Sequence, residues 1–157
     1  MPADAAIRRN LTTAAALLGA LPAFVGHPGV GPVRCALPFA DGRHESPGET
    51  RTAYLLRALG FELEPQFRLT VGGRTFRADF RLVGARVLVE FDGAVKYATG
   101  PDDRAEGTPG RNALFEEKQR EDALRREGWI IVRLVWADLQ DPELVRRRVL
   151  AALALSR

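Results

Sequence analysis

The chain is short of the residues that staple small proteins or bind metals through sulfur and nitrogen. Its 157 residues hold one cysteine, Cys35, which excludes an internal disulfide and a cysteine-rich zinc site and points to a reducing compartment. His27 and His44 are isolated from each other, so a histidine metal centre is excluded too. Lysine is scarce: of 23 cationic residues only Lys96 and Lys118 are lysines, and the rest are arginine. No apolar run reaches membrane-spanning length. Leu11 to Val25 is apolar, but Pro22 interrupts it and no signal-peptide layout follows. The expectation is a cytoplasmic protein with no membrane partner. A net charge of +3 is compatible with a polyanionic partner without demanding one.

What is present reads as one domain behind an N-terminal appendage. Residues 1–43 comprise a short helix, Asp4 to Leu21, with Thr12-Thr13 as a possible second start, and a Pro/Gly-rich linker from Pro22 to Pro38. Residues 44–157 carry a compact pattern. Ser46-Pro47-Gly48-Glu49 is a capping box with proline at the first helical position. That helix runs to about Leu59 and stops at Gly60. Strands are expected over Pro65 to Val71, Arg74 to Leu82 and Arg86 to Asp92, the first two joined by Gly72-Gly73. Ala98 to Arg111 reads as a loop. Asn112 is placed to cap a helix from Ala113 to Glu127. Trp129 to Trp136 resembles a strand buried on both faces, and Asp141-Pro142 opens a last helix. The predicted class is α/β, with a mixed sheet flanked by helices.

The chemistry concentrates in Val87-Leu88-Val89-Glu90-Phe91-Asp92-Gly93. Side chains two apart on a strand share a face, so Glu90 and Asp92 project together from an apolar segment. Asp79 lies in the preceding strand. If the two strands pair, three carboxylates converge, and a divalent cation with a taste for hard oxygen ligands, Mg²⁺ or Mn²⁺, is the natural way to neutralise them. Each acid alone is equally readable as the solvated side of a half-buried sheet. Glu49 has a capping role to fill, yet the helical wheel groups it with Ala53 and Leu56 on an inward stripe. Lys118 falls between Leu114 and Phe115 on its own wheel, with Asp122 one turn on.

These residues carry a resemblance. Asp79 followed by Glu90-Phe91-Asp92, in a helix–strand–strand–strand–helix–strand order, resembles the PD-(D/E)XK nuclease superfamily. The local wording is similar to bacterial domains related to very-short-patch-repair endonucleases: Arg77-Ala78-Asp79-Phe80, Glu90-Phe91-Asp92-Gly93 with Lys96-Tyr97, Lys118-Gln119-Arg120-Glu121-Asp122, and Gly128-Trp129 with Arg133. The resemblance covers roughly Ser46 to Leu150. It implies a restriction-endonuclease-like αβββαβ core and Mg²⁺- or Mn²⁺-dependent hydrolysis of DNA phosphodiesters, in repair or phage defence. Asp79, Glu90 and Asp92 would be the metal ligands, with Glu49 beside them. Arg77, Arg81, Arg104, Arg111 and Arg120 are candidate phosphate contacts. Domains of this kind often follow antitoxin-like regions of abortive-infection systems, and residues 1–43 look like the tail of such a region. Asp92 occupies the place of the superfamily's usual lysine, so the expectation moves to Lys118, held on a helix, ahead of Lys96. The repair enzymes' histidines and structural zinc have no counterpart. Two rival functions follow: a nucleic-acid-binding module without chemistry, and a partner-binding domain of a toxin–antitoxin-like system, with a homodimer or an upstream antitoxin-like domain as partner.

Overall fold

A computed structural model describes residues 2–93 and 111–156, with backbone only for 111–114. Three short helices come first: α1 (Pro2–Arg8), α2 (Ala14–Ala20) and α3 (Val30–Ala36). The core follows as α4 (Pro47–Ala58), β1 (Leu63–Val71), β2 (Arg74–Leu82), β3 (Val87–Phe91), α5 (Arg111–Arg126), β4 (Ile130–Leu134) and α6 (Pro142–Leu155). The sheet order is β1-β2-β3-β4. The first two pairings are antiparallel, and β4 returns parallel to β3, so this is an α/β fold with a mixed sheet. Among the described residues no helix is long and apolar enough to cross a membrane.

The layers follow from strand alternation. Val87 and Val89 pack with Ala53 and Leu56 of α4 and Val145 and Val149 of α6. Leu88, on the opposite face, packs with Leu124 of α5. The sheet is therefore covered on both sides. β2 departs from simple alternation. Phe76 and Ala78 lie on the α5 side, whereas Phe80 and Leu82, of the same parity, lie on the α4/α6 side. The facing of β2 changes at Asp79. Across from it, Gln66 adopts φ 54°, a left-handed conformation uncommon outside glycine.

Local signals account for the element ends. Ser46 Oγ accepts from the Glu49 amide at 3.1 Å, and Asp141 Oδ1 accepts from the Leu144 amide at 3.0 Å. Gly72 and Gly73 take φ 58° and 75° to turn β1 into β2.

Several expectations are corrected. Asp4 to Leu21 is two helices rather than one, broken at Asn10 (φ 56°), with Thr13 capping the second. The Pro/Gly-rich segment contains α3. β1 begins at Leu63. Asn112 lies inside α5 rather than capping it. β3 ends at Phe91, leaving Asp92 beyond it. β4 is a half-buried edge strand with Arg133 exposed, not a strand buried on both faces. Most of the loop expected from Ala98 to Arg111, together with Lys96 and Arg104, lies outside the described residues.

The N-terminal segment docks on the start of α4. Asp4, fully buried, accepts from the Asp41 amide at 2.8 Å and from the Thr50 hydroxyl at 2.6 Å. Arg8 donates to the His44 carbonyl at 2.7 Å.

Candidate functional site

The site lies where β2 and β3 part. Phe80 pairs with Val89, so Asp79 and Glu90 come next on their two strands. There the backbone ladder gives way to a side chain: Asp79 Oδ2 accepts from the Phe91 amide at 2.7 Å. Burial pushes the Asp79 carboxyl up to about 6, against the Phe91 amide, and the neighbouring Glu49 and Glu90 charges add to the rise.

Glu49 reaches this group from the first turn of α4. It is nearly buried. Its Oε2 accepts from the Glu45 amide at 2.9 Å and from Gln66 Nε2 at 2.8 Å. The capping box thus closes one residue earlier than the usual reciprocal bond. The left-handed turn at Gln66 sits where this amide side chain meets Glu49. Gly48 lets α4 approach so closely, since a Cβ there would overlap the Phe91 ring.

Glu90 is held by arginines. Arg120 of α5 contacts it directly, and Arg133 of β4 lies with Nε 3.6 Å from Glu90 Oε2. Arg120 Nη1 also reaches Glu117 at 3.1 Å, and Arg133 contacts Glu117 as well. Glu90, Arg120, Glu117 and Arg133 form a closed ring of alternating charge joining β3, α5 and β4. The Glu90 and Arg120 side chains are only 15% and 18% exposed, so this pair is better shielded than a surface ion pair, whereas Glu117 and Arg133 stand at the ring's open side. Burial works against the Arg120 charge, but Glu90 and Glu117 raise its pKa overall.

The structure thus brings together Asp79, Glu90, Glu49 and Arg120 of the expected set. It does not close Asp79, Glu90 and Asp92 into a metal-sized cluster. Among the described residues no group of three or more His, Cys, Asp and Glu side chains could hold an ion. Asp92 is exposed past the strand's end, its amide donating to the Leu134 carbonyl at 2.8 Å. Lys118 is exposed, and Arg120 takes the place facing the carboxylates. The inward stripe of α5 is Glu117, Arg120 and Leu124, so the apolar residues used to orient the wheel misled it. Arg77 spans both carboxylate oxygens of Glu45 at 2.8 Å. Arg81 lies 4.8 Å over the Phe67 ring and 3.6 Å from Glu64. Arg111 opens α5, with its side chain outside the described set. Glu117 was not singled out by sequence reasoning, and Arg133 entered there only within the resemblance, without a role. Arg133 carried a signal, as the lone charge in Ile130-Ile131-Val132-Arg133-Leu134.

The chain is 28% identical over 140 residues to uncharacterized proteins from two strains of Mycobacterium tuberculosis. The match covers 87% of this chain and 47% of the relatives, so the chain spans about half the length of the curated relatives it matches. No family model and no solved structure matches the chain.

Proposed function

We propose that this chain is a Mg²⁺- or Mn²⁺-dependent nuclease of the PD-(D/E)XK kind, hydrolysing DNA phosphodiester bonds. The observation that carries the reading is the placement of Asp79 and Glu90 side by side where β2 and β3 separate, with the Asp79 pKa pushed up to about 6 by burial and acidic neighbours. A carboxylate shifted by burial together with specific charged neighbours is a candidate functional group on physical grounds. The donor set suits a hard cation in its chemistry. Mg²⁺ is commonly held by one or two carboxylates, with waters and substrate phosphate completing its shell, so Asp79 and Glu90 suffice without a third acid. A bound ion of this kind lowers the pKa of a coordinated water and offsets charge developing on the phosphate.

The chain's own residues do the rest. The Phe91 amide fixes one Asp79 oxygen, and no hydrogen bond from the described residues engages the other. Gln66 and the Glu45 amide orient Glu49 beside it. Arg120, Arg133 and Arg77 supply guanidinium forks suited to phosphate oxygens.

A binding module without chemistry is the second reading, favoured by the outward-facing Lys118 and by the two guanidiniums already engaging Glu90.

The test is incubation of the purified chain with linear, circular and single-stranded DNA, with Mg²⁺, Mn²⁺ or chelator. Metal-dependent cleavage lost in Asp79→Ala and in Glu90→Ala supports the nuclease. Salt-dependent DNA binding without cleavage supports the second reading. Absence of both sinks the two together, and leaves a protein partner as the object of search.

A further inference from the structure

We infer that Arg120 is an exchangeable counterion: it holds Glu90 in the ligand-free protein and passes to the substrate phosphate when Glu90 takes up a divalent cation. The inference rests on the nuclease reading and names the residue that links its two binding events.

The geometry has three parts. First, Arg120 occupies Glu90. Nη2 contacts Oε1 and Nη1 lies 3.4 Å from Oε2, so the guanidinium covers the two oxygens that a metal ion would need. A metal ion must compete with the fork for the lone pairs on this side of the carboxylate.

Second, Arg120 has an anchor apart from Glu90. Its Nη1 donates to Glu117 at 3.1 Å, one helical turn away on α5. Its Nη2 reaches the Arg77 carbonyl at 3.4 Å, and the guanidinium stands 6.0 Å from the Phe76 ring centre. These contacts keep it beside β2, two residues from Asp79, after Glu90 is released. A side chain with a second partner moves without being left as an uncompensated shielded charge, which would be costly.

Third, charge dictates the direction of exchange. Arg120, Arg133, Glu90 and Glu117 sum to zero. Asp79, ionised as the second ligand, takes this sum to −1, and a divalent cation shared with Glu90 turns it to +1, so that Arg120 is repelled from the oxygens it held. A phosphodiester arriving at the same place restores balance and offers the planar fork a matching pair of oxygens. Lys118 is exposed, so among the described residues Arg120 is the inward cation on α5.

The distinguishing consequence is that removing Arg120 strengthens metal binding while weakening catalysis. A residue needed only for structure would weaken both. The experiment measures Mn²⁺ binding to the DNA-free chain by electron paramagnetic resonance of the free ion, for the parent, Arg120→Gln, Arg120→Lys and Asp79→Ala. Melting temperatures are recorded alongside. We expect Arg120→Gln to bind Mn²⁺ about tenfold tighter, the size of one charge-assisted hydrogen bond released. Its DNA-cleavage rate should fall, and Arg120→Lys should lie between it and the parent in Mn²⁺ affinity. Equal or weaker Mn²⁺ binding by Arg120→Gln, in a protein with the parent's melting temperature, overturns the exchange. If Arg120→Gln does not fold, Arg120→Lys decides, with affinity at or below the parent's counting against it. A parent showing no Mn²⁺ binding that Asp79→Ala abolishes overturns the nuclease reading itself, and this inference with it. A parent that binds and cleaves, with Arg120→Gln unchanged, overturns this inference alone.

Discussion

The Phe91 amide donates to the carboxylate of Asp79 at 2.7 Å, so a side chain completes a rung that β2 and β3 leave open. That bond favours the charged form, yet burial and the nearby Glu49 and Glu90 lift Asp79 from its ordinary 3.8 to about 6. The folded state therefore prefers the protonated acid. With no metal present, stability falls as pH rises from about 3.8 to about 6, and the deficit persists above that. Asp79→Asn keeps an acceptor for the Phe91 amide and removes the charge. We expect it to raise stability at pH 7 by about 1–3 kcal/mol in chelator, and to abolish the fall between pH 4 and 6. Urea titrations across that range check it, and an unchanged profile refutes the electrostatic account.

His44 imposes the opposite slope. Burial depresses its pKa below 6.5, against the pull of Asp41 and Asp4, and neither ring nitrogen has a hydrogen-bond partner among the described residues. The unfolded chain takes up the proton first, so stability is lost as pH falls below about 6.5. His44→Leu should flatten this acid limb and preserve packing against Phe80, whose ring centre lies 5.7 Å away. Comparing melting temperatures at pH 5 and pH 7.5 tests it: the gap should shrink in the variant.

Gly48 carries a steric prediction. A Cβ there overlaps the Phe91 ring, so Gly48→Ala forces α4 away from β3. The expected loss is about 1–3 kcal/mol, the usual range for overpacking. Combining it with Phe91→Leu should recover part of the loss. Denaturant midpoints for the two single variants and the pair decide whether the two sites couple.

Asp4 predicts what holds the N-terminal segment. Asp4→Ala deprives the Asp41 amide and the Thr50 hydroxyl of their shared acceptor. We expect a loss of about 1–3 kcal/mol, mainly from the Asp41 amide, since the Thr50 hydroxyl keeps the Ser46 carbonyl at 3.2 Å as a second acceptor. Proteolysis should become faster between residues 9 and 41, while the sheet stays protected. Hydrogen exchange mapped by mass spectrometry distinguishes this from global unfolding, in which the strands would lose protection equally.

Features written in neighbouring residues were legible in the sequence. The Ser46 cap, the Gly72-Gly73 hairpin and the Asp141 cap are each set within a few positions, and all three are found as read. The α/β class and element order followed from periodicity. Legibility ended where a relation spans the chain or breaks regularity. Nothing near Glu90 announces Arg133, because that neighbour arises from the parallel register of β3 and β4 across an intervening helix. Strict alternation carried no sign of the change of facing at Asp79, which accompanies the left-handed backbone of Gln66. Lys118 was misplaced because the inward stripe of α5 is itself charged, and hydrophobic periodicity is silent about such a stripe.

The charge ring around Glu90 also bears on the order in which the chain acquires structure. Its acid on β3 is made before either of its arginines. A ribosome that has released α4 and the β1–β3 meander has exposed Glu49, Asp79 and Glu90 with Arg120 and Arg133 still to come. Local hairpin contacts can form early, whereas the β3–β4 pairing must await a long closure. The acidic corner therefore passes through a stage of uncompensated repulsion, and docking of α5 and β4 relieves it. In this chain α5 and β4, made after the acids, are also the elements that neutralise the site.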